Sequence, residues 1–216
     1  MAAQIFLMSR TDPAEIGLRL AAGEVAVLPT ETVYGLGIVP GQVKPLTRVF
    51  ELKGRPPDLN LPVLISGLSQ LEELGVDFNS TARQLAQRFW PGPLTIVMGF
   101  TESKRRPDWL KDRIEVAIRF PAFEFLVRIA NTTGPLLLTS ANAHGEGAKD
   151  TVHDALHSLL GEPDFAVDAG TLARIPSTII NTRRAPAVLE RTGAITATDL
   201  DSFIRAKTLT VESWNN

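Results

Sequence analysis

The sequence contains no cysteine, few aromatic residues and no long apolar run. The lack of cysteine excludes a disulfide scaffold, a thiol nucleophile, an iron–sulfur cluster and a cysteine-ligated zinc ion. The longest apolar stretches, such as residues 25–29 and 135–138, are far shorter than the ~20 residues that span a bilayer. The first twelve residues lack the charged region and apolar run of a signal peptide, so we expect a cytoplasmic protein without a membrane segment.

The charge of the chain is balanced, since 22 lysines and arginines stand against 24 aspartates and glutamates, for a net charge of −2. Nonspecific nucleic-acid coat proteins are globally basic, so this balance argues against that class. A local basic patch is compatible with it, because a site responds to the charges near it rather than to the total. The 216 residues are 44% hydrophobic and 21% charged, which is typical of a folded globular protein.

Helix and strand patterns alternate along the chain, which predicts an α/β or α+β fold with helices packed against a sheet. No linker divides the chain, so we expect one domain over residues 1–195 and a short C-terminal tail over residues 196–216. The predicted strands cover residues 25–28, 62–65, 94–98, 114–118, 136–139, 165–167, 178–180 and 188–189. The predicted helices cover residues 13–22, 43–52, 80–90, 123–130 and 151–160.

Conventional nucleotide and metal motifs are missing. No G-x-x-x-x-G-K-[ST] loop occurs. Gly35-Leu36-Gly37 is expected to let the backbone turn closely. It does not complete the dinucleotide-binding fingerprint, because the third glycine is displaced by one residue. His153 and His157 have the i, i+4 spacing of zinc-protease helices, but Asp154 stands where that motif needs a glutamate. A solvated helix face accounts for this pair, so we expect no protein-held metal site.

Polar side chains follow the strand predicted over residues 25–28. Pro29 ends the strand, and the hydroxyls of Thr30 and Thr32 flank the carboxylate of Glu31. Ligands dock at the carboxyl ends of strands in open α/β sheets, so this segment is a candidate binding element. A capped turn would produce the same pattern.

Several cations follow predicted elements in the same way. Lys53 and Arg55 flank a glycine after a predicted helix, and Arg119 closes an apolar run. Arginine offers a planar fork to carboxylate or phosphate oxygens, whereas lysine offers a point charge. Taken alone, Lys53 and Arg55 are more often a solvated basic turn, and an internal salt bridge would explain Arg119 without a ligand.

A second strand end carries small polar side chains. Ser140 and Asn142 follow the strand predicted over residues 136–139, and a hydroxyl and a carboxamide in a tight turn can bind phosphate oxygens together with a base or sugar. Gly145-Glu146-Gly147 beyond them would make a mobile loop and act as a lid. Ser177 adds another hydroxyl near the end of the domain, and Arg191 adds another cation.

Seven motifs occur in a fixed order: Pro29-Thr30-Glu31-Thr32-Val33-Tyr34-Gly35-Leu36-Gly37, Lys53-Gly54-Arg55-Pro56, Pro91-Gly92-Pro93-Leu94-Thr95, Val116-Ala117-Ile118-Arg119, Ser140-Ala141-Asn142, Pro176-Ser177-Thr178 and Arg191-x-Gly193. Together they resemble the YrdC-like family over residues 10–195. The resemblance implies a twisted mixed β-sheet flanked by helices, with a large concave basic cavity. It also implies an activity that joins L-threonine, bicarbonate and ATP into threonylcarbamoyl-AMP and pyrophosphate, for modification of adenosine 37 in tRNAs that read ANN codons.

The resemblance further implies roles for individual residues. Those implied for threonine binding are Thr32, Arg119 and Ser177. Those implied for ATP binding are Lys53, Arg55, Asn60, Ser140, Asn142 and Arg191, with Lys53 and Arg55 also catalytic. The family often has a histidine a few residues after Asn60, where this chain has Ile65 or Ser66, and what replaces it is open. With about twenty residues after the last motif, we expect the short, single-domain form of the family.

The expected partners follow from this activity. ATP would be a substrate and would bring Mg²⁺ with it, and downstream proteins would transfer the threonylcarbamoyl group to tRNA. The alternative function is a double-stranded RNA- or tRNA-binding module of the same fold without synthase activity. Its basic face would be Lys104-Arg105-Arg106, Lys111, Arg113 and Arg183-Arg184, which could also contact tRNA in a synthase. No aromatic stacking platforms alternate with these cations, which argues against the alternative.

Overall fold

The computed structural model describes residues 3–56, 60–201 and 211–213. Eleven strands of this part, numbered in chain order, are β1 Gln4–Leu7, β2 Ala26–Leu28, β3 Gly35–Ile38, β4 Val63–Leu64, β5 Leu94–Met98, β6 Val116–Arg119, β7 Leu136–Ser140, β8 Phe165–Asp168, β9 Thr178–Asn181, β10 Ala187–Arg191 and β11 Val211–Ser213. They form one sheet in the order β1-β8-β2-β3-β7-β4-β6-β5-β9-β10-β11.

Strand pairs in this sheet run in both directions. β2 and β3 are antiparallel, with Ala26 opposite Gly37, whereas β5 and β9 are parallel, with Leu94 opposite Thr178. The order of strands in the sheet differs from their order in the sequence, since β4 lies between β7 and β6. Segments far apart in the chain therefore end side by side, and the predicted mixed sheet is confirmed.

Six α-helices surround the sheet in the described residues: α1 Pro13–Ala21, α2 Val43–Lys53, α3 Gln70–Glu73, α4 Ser80–Phe89, α5 Glu124–Thr133 and α6 Val152–Ser158. Side chains at the predicted starts cap three of them. Asp12 accepts a hydrogen bond from the Ala14 backbone N–H, and Asn79 and Thr151 do the same for α4 and α6. None of the described helices has both the length and the apolar composition needed to cross a bilayer.

The two faces of the sheet carry different layers, because side chains alternate between faces along each strand. On one face, Leu94, Ile96 and Met98 of β5 pack into a core that includes residues of α2, α4 and α6. On the other face, α1 and α5 form a second core against β2, β7 and β8. Thr95 and Val97 of β5 face a cavity instead.

Strand β3 corrects the expectation of a turn at Gly35-Leu36-Gly37. Gly37 lies opposite Leu138 in the sheet, and a Cβ atom on Gly37 would come within 2.8 Å of Leu138 Cδ1 and 2.9 Å of Leu28 Cδ1. The missing side chain lets these leucines pack across the strand. The sequence also did not predict β1, nor β11, which pairs with β10 from within the segment expected to be a tail.

Candidate active site

A cavity of about 610 Å³ opens on the face of the sheet that carries Thr95 and Val97. Its size lies in the range of sites for small molecules and cofactors. Strands and loops from seven regions of the chain build its wall. Of the residues implied for binding, the cavity brings together Thr32, Arg55, Asn60, Arg119, Ser140, Ser177 and Arg191. Lys53 and Asn142 do not line it.

Arg119, at the end of β6, is held on three sides. Its Nη1 donates to Thr32 Oγ1 at 3.0 Å, its Nε donates to the Gly92 carbonyl at 3.3 Å, and its Nη2 lies 2.8 Å from Glu31 Oε1. Burial lowers the pKa of Arg119, and the charge of Glu31 opposes that shift. The guanidinium is thus fixed at the cavity wall and ready to meet an anion.

Glu31 was not predicted as a site residue, although it lies in the first motif. Its Oε1 also accepts a hydrogen bond of 2.9 Å from the Ala122 backbone N–H, which fixes the carboxylate behind Arg119. Thr30 shapes the same turn, since its Oγ1 accepts from the backbone N–H groups of Thr32 and Val33. The sequence signal that could have identified Glu31 is a carboxylate between two threonines directly after a predicted strand.

A second cation lies near Arg119. Arg191 donates through Nε and Nη2 to the Ser177 carbonyl, at 3.0 and 2.8 Å, and through Nη2 to Ser177 Oγ at 3.1 Å. Ser177 Oγ is 2.8 Å from Thr95 Oγ1, a buried hydroxyl that sequence reasoning missed. Burial lowers the pKa of Arg191, and the positive charge of Arg119 lowers it further. Two mutually repelling guanidiniums favour an anion between them.

Gly193 makes this arrangement possible. A Cβ atom at this position would lie 2.2 Å from the Pro176 carbonyl oxygen and 2.5 Å from the Ser177 carbonyl carbon. The chain after β10 therefore runs directly against the backbone that carries Ser177, which only glycine allows.

Arg55 and Asn60 form another wall of the cavity. Arg55 Nη2 donates to the Asn60 carbonyl at 3.3 Å, and both residues line the cavity near Ser140. The intervening residues 57–59 lie outside the described part of the chain. Arg55 is only partly buried, so its guanidinium can reach a ligand.

Lys53 has a different environment from the one expected for a phosphate contact. It is 3% exposed, and its Nζ donates to the backbone carbonyls of Ser140 and, at 2.7 Å, of Asn142. Burial lowers the pKa of Lys53 to about 8, helped by the charge of Arg55. The lysine lies behind the turn after β7.

Carboxylates also line the cavity. Glu115 forms an ion pair with Arg183, Glu146 lies 2.9 Å from Lys149 Nζ, and Glu190 accepts a 2.7 Å hydrogen bond from Asn181 Nδ2. The charged lining within the described part of the chain thus comprises three arginines and three glutamates. The lining alone is therefore mixed in charge. Gly145-Glu146-Gly147 is exposed, and its role as a lid stays a prediction.

Neither residue at the position of the family histidine lines the cavity. Ile65 is fully buried in the core on the opposite face of the sheet. Ser66 is tied to α3, since its backbone N–H donates to Gln70 Oε1 at 2.9 Å.

The predicted basic face is partly used for internal contacts. Arg106 donates to the backbone carbonyls of Lys111 and Arg113 and stacks on Phe100. Arg183 is paired with Glu115 at the cavity. None of these contacts favours the alternative function, an RNA-binding module.

The fold and the site define a mixed α/β domain in which part of one sheet face lines a cavity of small-molecule size. The family model for Sua5/YciO/YrdC proteins, whose description reads "Telomere recombination", matches residues 19–193. The chain belongs to this family, as the seven motifs indicated.

Named relatives agree with this assignment. The chain is 34% identical over 195 residues to the threonylcarbamoyl-AMP synthase of Pyrococcus abyssi and 34% identical over 206 residues to that of Bacillus subtilis. These alignments cover 87% and 91% of this chain but 57% and 58% of the relatives, so the chain spans less than three fifths of their length. A crystal structure of P. abyssi Sua5 complexed with L-threonine matches with a TM-score of 0.82 at 29% identity, over 98% of this chain and 63% of that one.

Proposed function

We propose that this protein is an enzyme that makes threonylcarbamoyl-AMP and pyrophosphate from L-threonine, bicarbonate and ATP, for the modification of adenosine 37 in ANN-reading tRNAs. The observation that carries the proposal is the convergence of Arg55, Arg119, Ser140 and Arg191 on one cavity. The names of the relatives and the threonine complex of P. abyssi Sua5 support the same reaction. The proposed reaction is a nucleotidyl transfer. This reaction fits a cytoplasmic enzyme, which would be supplied with ATP.

The chemistry explains why cations are needed. The threonine amine must attack carbon dioxide or bicarbonate, and the resulting carbamate oxygen must then attack the α-phosphate of ATP. The carbamate and the phosphates are both anionic, so cations must hold them together and neutralise the departing pyrophosphate. No covalent nucleophile is required, because positioning in a preorganised site supplies much of the rate.

We assign the two substrates to different parts of the cavity. Arg119, with Thr32 at 3.0 Å, would take the threonine carboxylate in a bidentate contact, and Ser177 would contact the same substrate. Arg55, with Asn60 and Ser140, would take the phosphates. Arg191 was implied for ATP, and its hydrogen bond to Ser177 supports a position beside both substrates.

Mg²⁺ would enter with ATP as part of the substrate, since phosphate oxygens are ligands that this ion prefers. In the residues that the structure describes, no three histidine, aspartate or glutamate side chains converge as a metal site. Proteins that transfer the threonylcarbamoyl group to tRNA would consume the product.

The direct test is to incubate the protein with ATP, L-threonine and bicarbonate and to analyse the mixture by mass spectrometry for the threonylcarbamoyl adenylate. The product is expected only when all three substrates are present. If pyrophosphate release is independent of threonine, or if salt-sensitive RNA binding occurs without any ATP use, the proposal is wrong.

Arg55→Ala tests the phosphate end of the cavity. We expect threonine-dependent pyrophosphate release to fall by about 10²–10³-fold, because one preorganised charge on the leaving group is lost. Arg128→Ala is the matched control, since Arg128 pairs with Asp12 on the surface and is 55% exposed. A normal rate in Arg55→Ala would contradict the assignment.

A further inference from the structure

Lys53, the last residue of α2, makes three hydrogen bonds to the segment that follows β7. Its Nζ donates to the Ser140 and Asn142 carbonyls, and its own carbonyl accepts from the His144 backbone N–H at 2.7 Å. An ammonium group has three hydrogens, and two are directed at these backbone oxygens. Lys53 thus connects the end of a helix to both sides of the turn at Ser140-Ala141-Asn142.

The same turn carries one residue at the cavity wall and one behind it. Ser140 lines the cavity. Asn142 uses its Nδ2 hydrogens on the carbonyls of Ala143 and Glu146, at 2.9 and 2.8 Å. Its Oδ1 is buried and accepts no hydrogen bond from any described residue. A buried acceptor without a donor is destabilising, so the turn depends on its other hydrogen bonds.

Lys53 and Arg55 therefore occupy unlike positions although they are two residues apart. Arg55 lines the cavity, whereas Lys53 is 3% exposed and does not. Because Lys53 does not line the cavity, its ammonium would have to move away from the Ser140 and Asn142 carbonyls to reach a phosphate. The Asn142 carbonyl would then lose its donor, whereas the Ser140 carbonyl would keep a 3.0 Å hydrogen bond from the Asn142 backbone N–H. That exchange is unfavourable, because a buried carbonyl without a hydrogen-bond partner is destabilising.

We infer that Lys53 is a positioning residue, which holds the Ser140-Ala141-Asn142 turn in its ATP-binding geometry and does not itself bind phosphate. The inference rests on the proposed function for the identity of the ligand. The hydrogen bonds on which the inference depends exist without any ligand. The effect of Lys53 on the turn can therefore be tested separately, in the ligand-free protein.

The first test is hydrogen exchange of the ligand-free protein. Lys53→Met removes the ammonium but keeps a side chain of similar length, so the backbone amides of residues 141–144 should exchange at least tenfold faster. The amides of β2 should keep their wild-type rates. Arg128→Met is the control and should leave residues 141–144 unchanged, because Arg128 lies on the surface, where it pairs with Asp12. Wild-type exchange at residues 141–144 in Lys53→Met would overturn the inference.

The second test compares equilibrium binding of ATP and AMP, neither of which requires turnover. A positioning role predicts that Lys53→Met weakens both nucleotides by a similar factor, about tenfold or more, and leaves threonine affinity within about twofold. Loss of a β- or γ-phosphate contact would weaken ATP alone, as expected for Arg55→Met. An ATP-selective loss in Lys53→Met would refute the inference.

These outcomes separate the inference from the proposed function. If the wild-type protein binds ATP but makes no threonylcarbamoyl-AMP, the proposed reaction fails while both comparisons still decide the role of Lys53. If Lys53→Met does not fold, Lys53→Gln keeps an uncharged hydrogen-bond donor group in place of the ammonium. It should then show faster exchange at residues 141–144 by a smaller factor, and unchanged exchange there would count against the inference.

Discussion

The ion pair of Glu31 and Arg119 allows a quantitative test of how the cavity is built. Their side chains are only 18% and 12% exposed, and the charged atoms are 2.8 Å apart. Removing one partner from a buried pair typically costs about 3–5 kcal/mol, because the other charge is left uncompensated. In Glu31→Gln the amide oxygen can still accept from Ala122, and Arg119 keeps Thr32 and Gly92. We therefore expect a loss of about 2 kcal/mol.

For a chain of this size, 1 kcal/mol shifts the melting temperature by about 2–4 °C, so Glu31→Gln should melt about 4–8 °C lower. The matched control is Glu115→Gln, which breaks the ion pair with Arg183 on the same cavity. Those side chains are 34% and 33% exposed, so the loss should be below about 1 kcal/mol. Thermal unfolding of both variants in the same buffer measures the difference.

The same substitution should strengthen anion binding. Arg119 keeps its positive charge in Glu31→Gln but has no carboxylate beside it, so added pyrophosphate should stabilise the variant by more than it stabilises the wild type. The reasoning is wrong if Glu31→Gln melts within about 1 °C of the wild type. It is also wrong if the two variants lose equal stability, because burial would then not govern the pair.

Two further predictions concern backbone packing and pH. Gly193→Ala should lower stability by at least about 1–3 kcal/mol and reduce activity, because its Cβ would displace the backbone of Ser177; Gly147→Ala, with open space around it, is the control in thermal unfolding. Folding lowers the pKa of Lys53 from 10.5 to about 8, so between these pH values the unfolded chain binds a proton that the folded protein does not. Stability should therefore rise with pH across this window, by up to about 3 kcal/mol relative to Lys53→Met, which denaturant titrations at pH 7.5 and 10 would measure.

Local chemistry made part of the fold predictable from the sequence. The strand over Leu94–Met98 was predicted with its observed bounds, because all five residues are buried and the run is continuous. The starts of α1 and α6 were predicted to within one residue, and the side chains of Asp12 and Thr151 cap these starts. Such features depend on neighbours in the sequence, which a sequence displays directly.

Features that depend on neighbours in space were missed. Gly37 suggests a turn until Leu28 and Leu138 are seen on either side of it, where its missing Cβ makes room for them. β1 consists largely of exposed residues and pairs with β8, more than 150 positions later, so it gives no local signal.

The site shows the same division. The residue types and their strand-end positions were visible in the sequence, and the family motifs grouped them. Whether a side chain faces the cavity was not visible, because that depends on how α2 and β7 meet. Lys53 and Arg55 share one motif, but the end of α2 directs Lys53 under the turn at Ser140 while Arg55 reaches the cavity.

The net charge around the cavity depends on the lining residues and also on the charged groups that contact them from outside the lining. Three glutamates line it, but cations outside the lining, Arg183 and Lys149, neutralise two of them. Glu31 offsets one of the three arginines, and Lys53 adds a positive charge below the turn. Positive groups therefore exceed negative ones around the cavity, although the whole chain carries a net charge of −2. Because nearby charges set the field in a partly enclosed site, this local excess favours the polyanionic ligand that the total charge does not suggest.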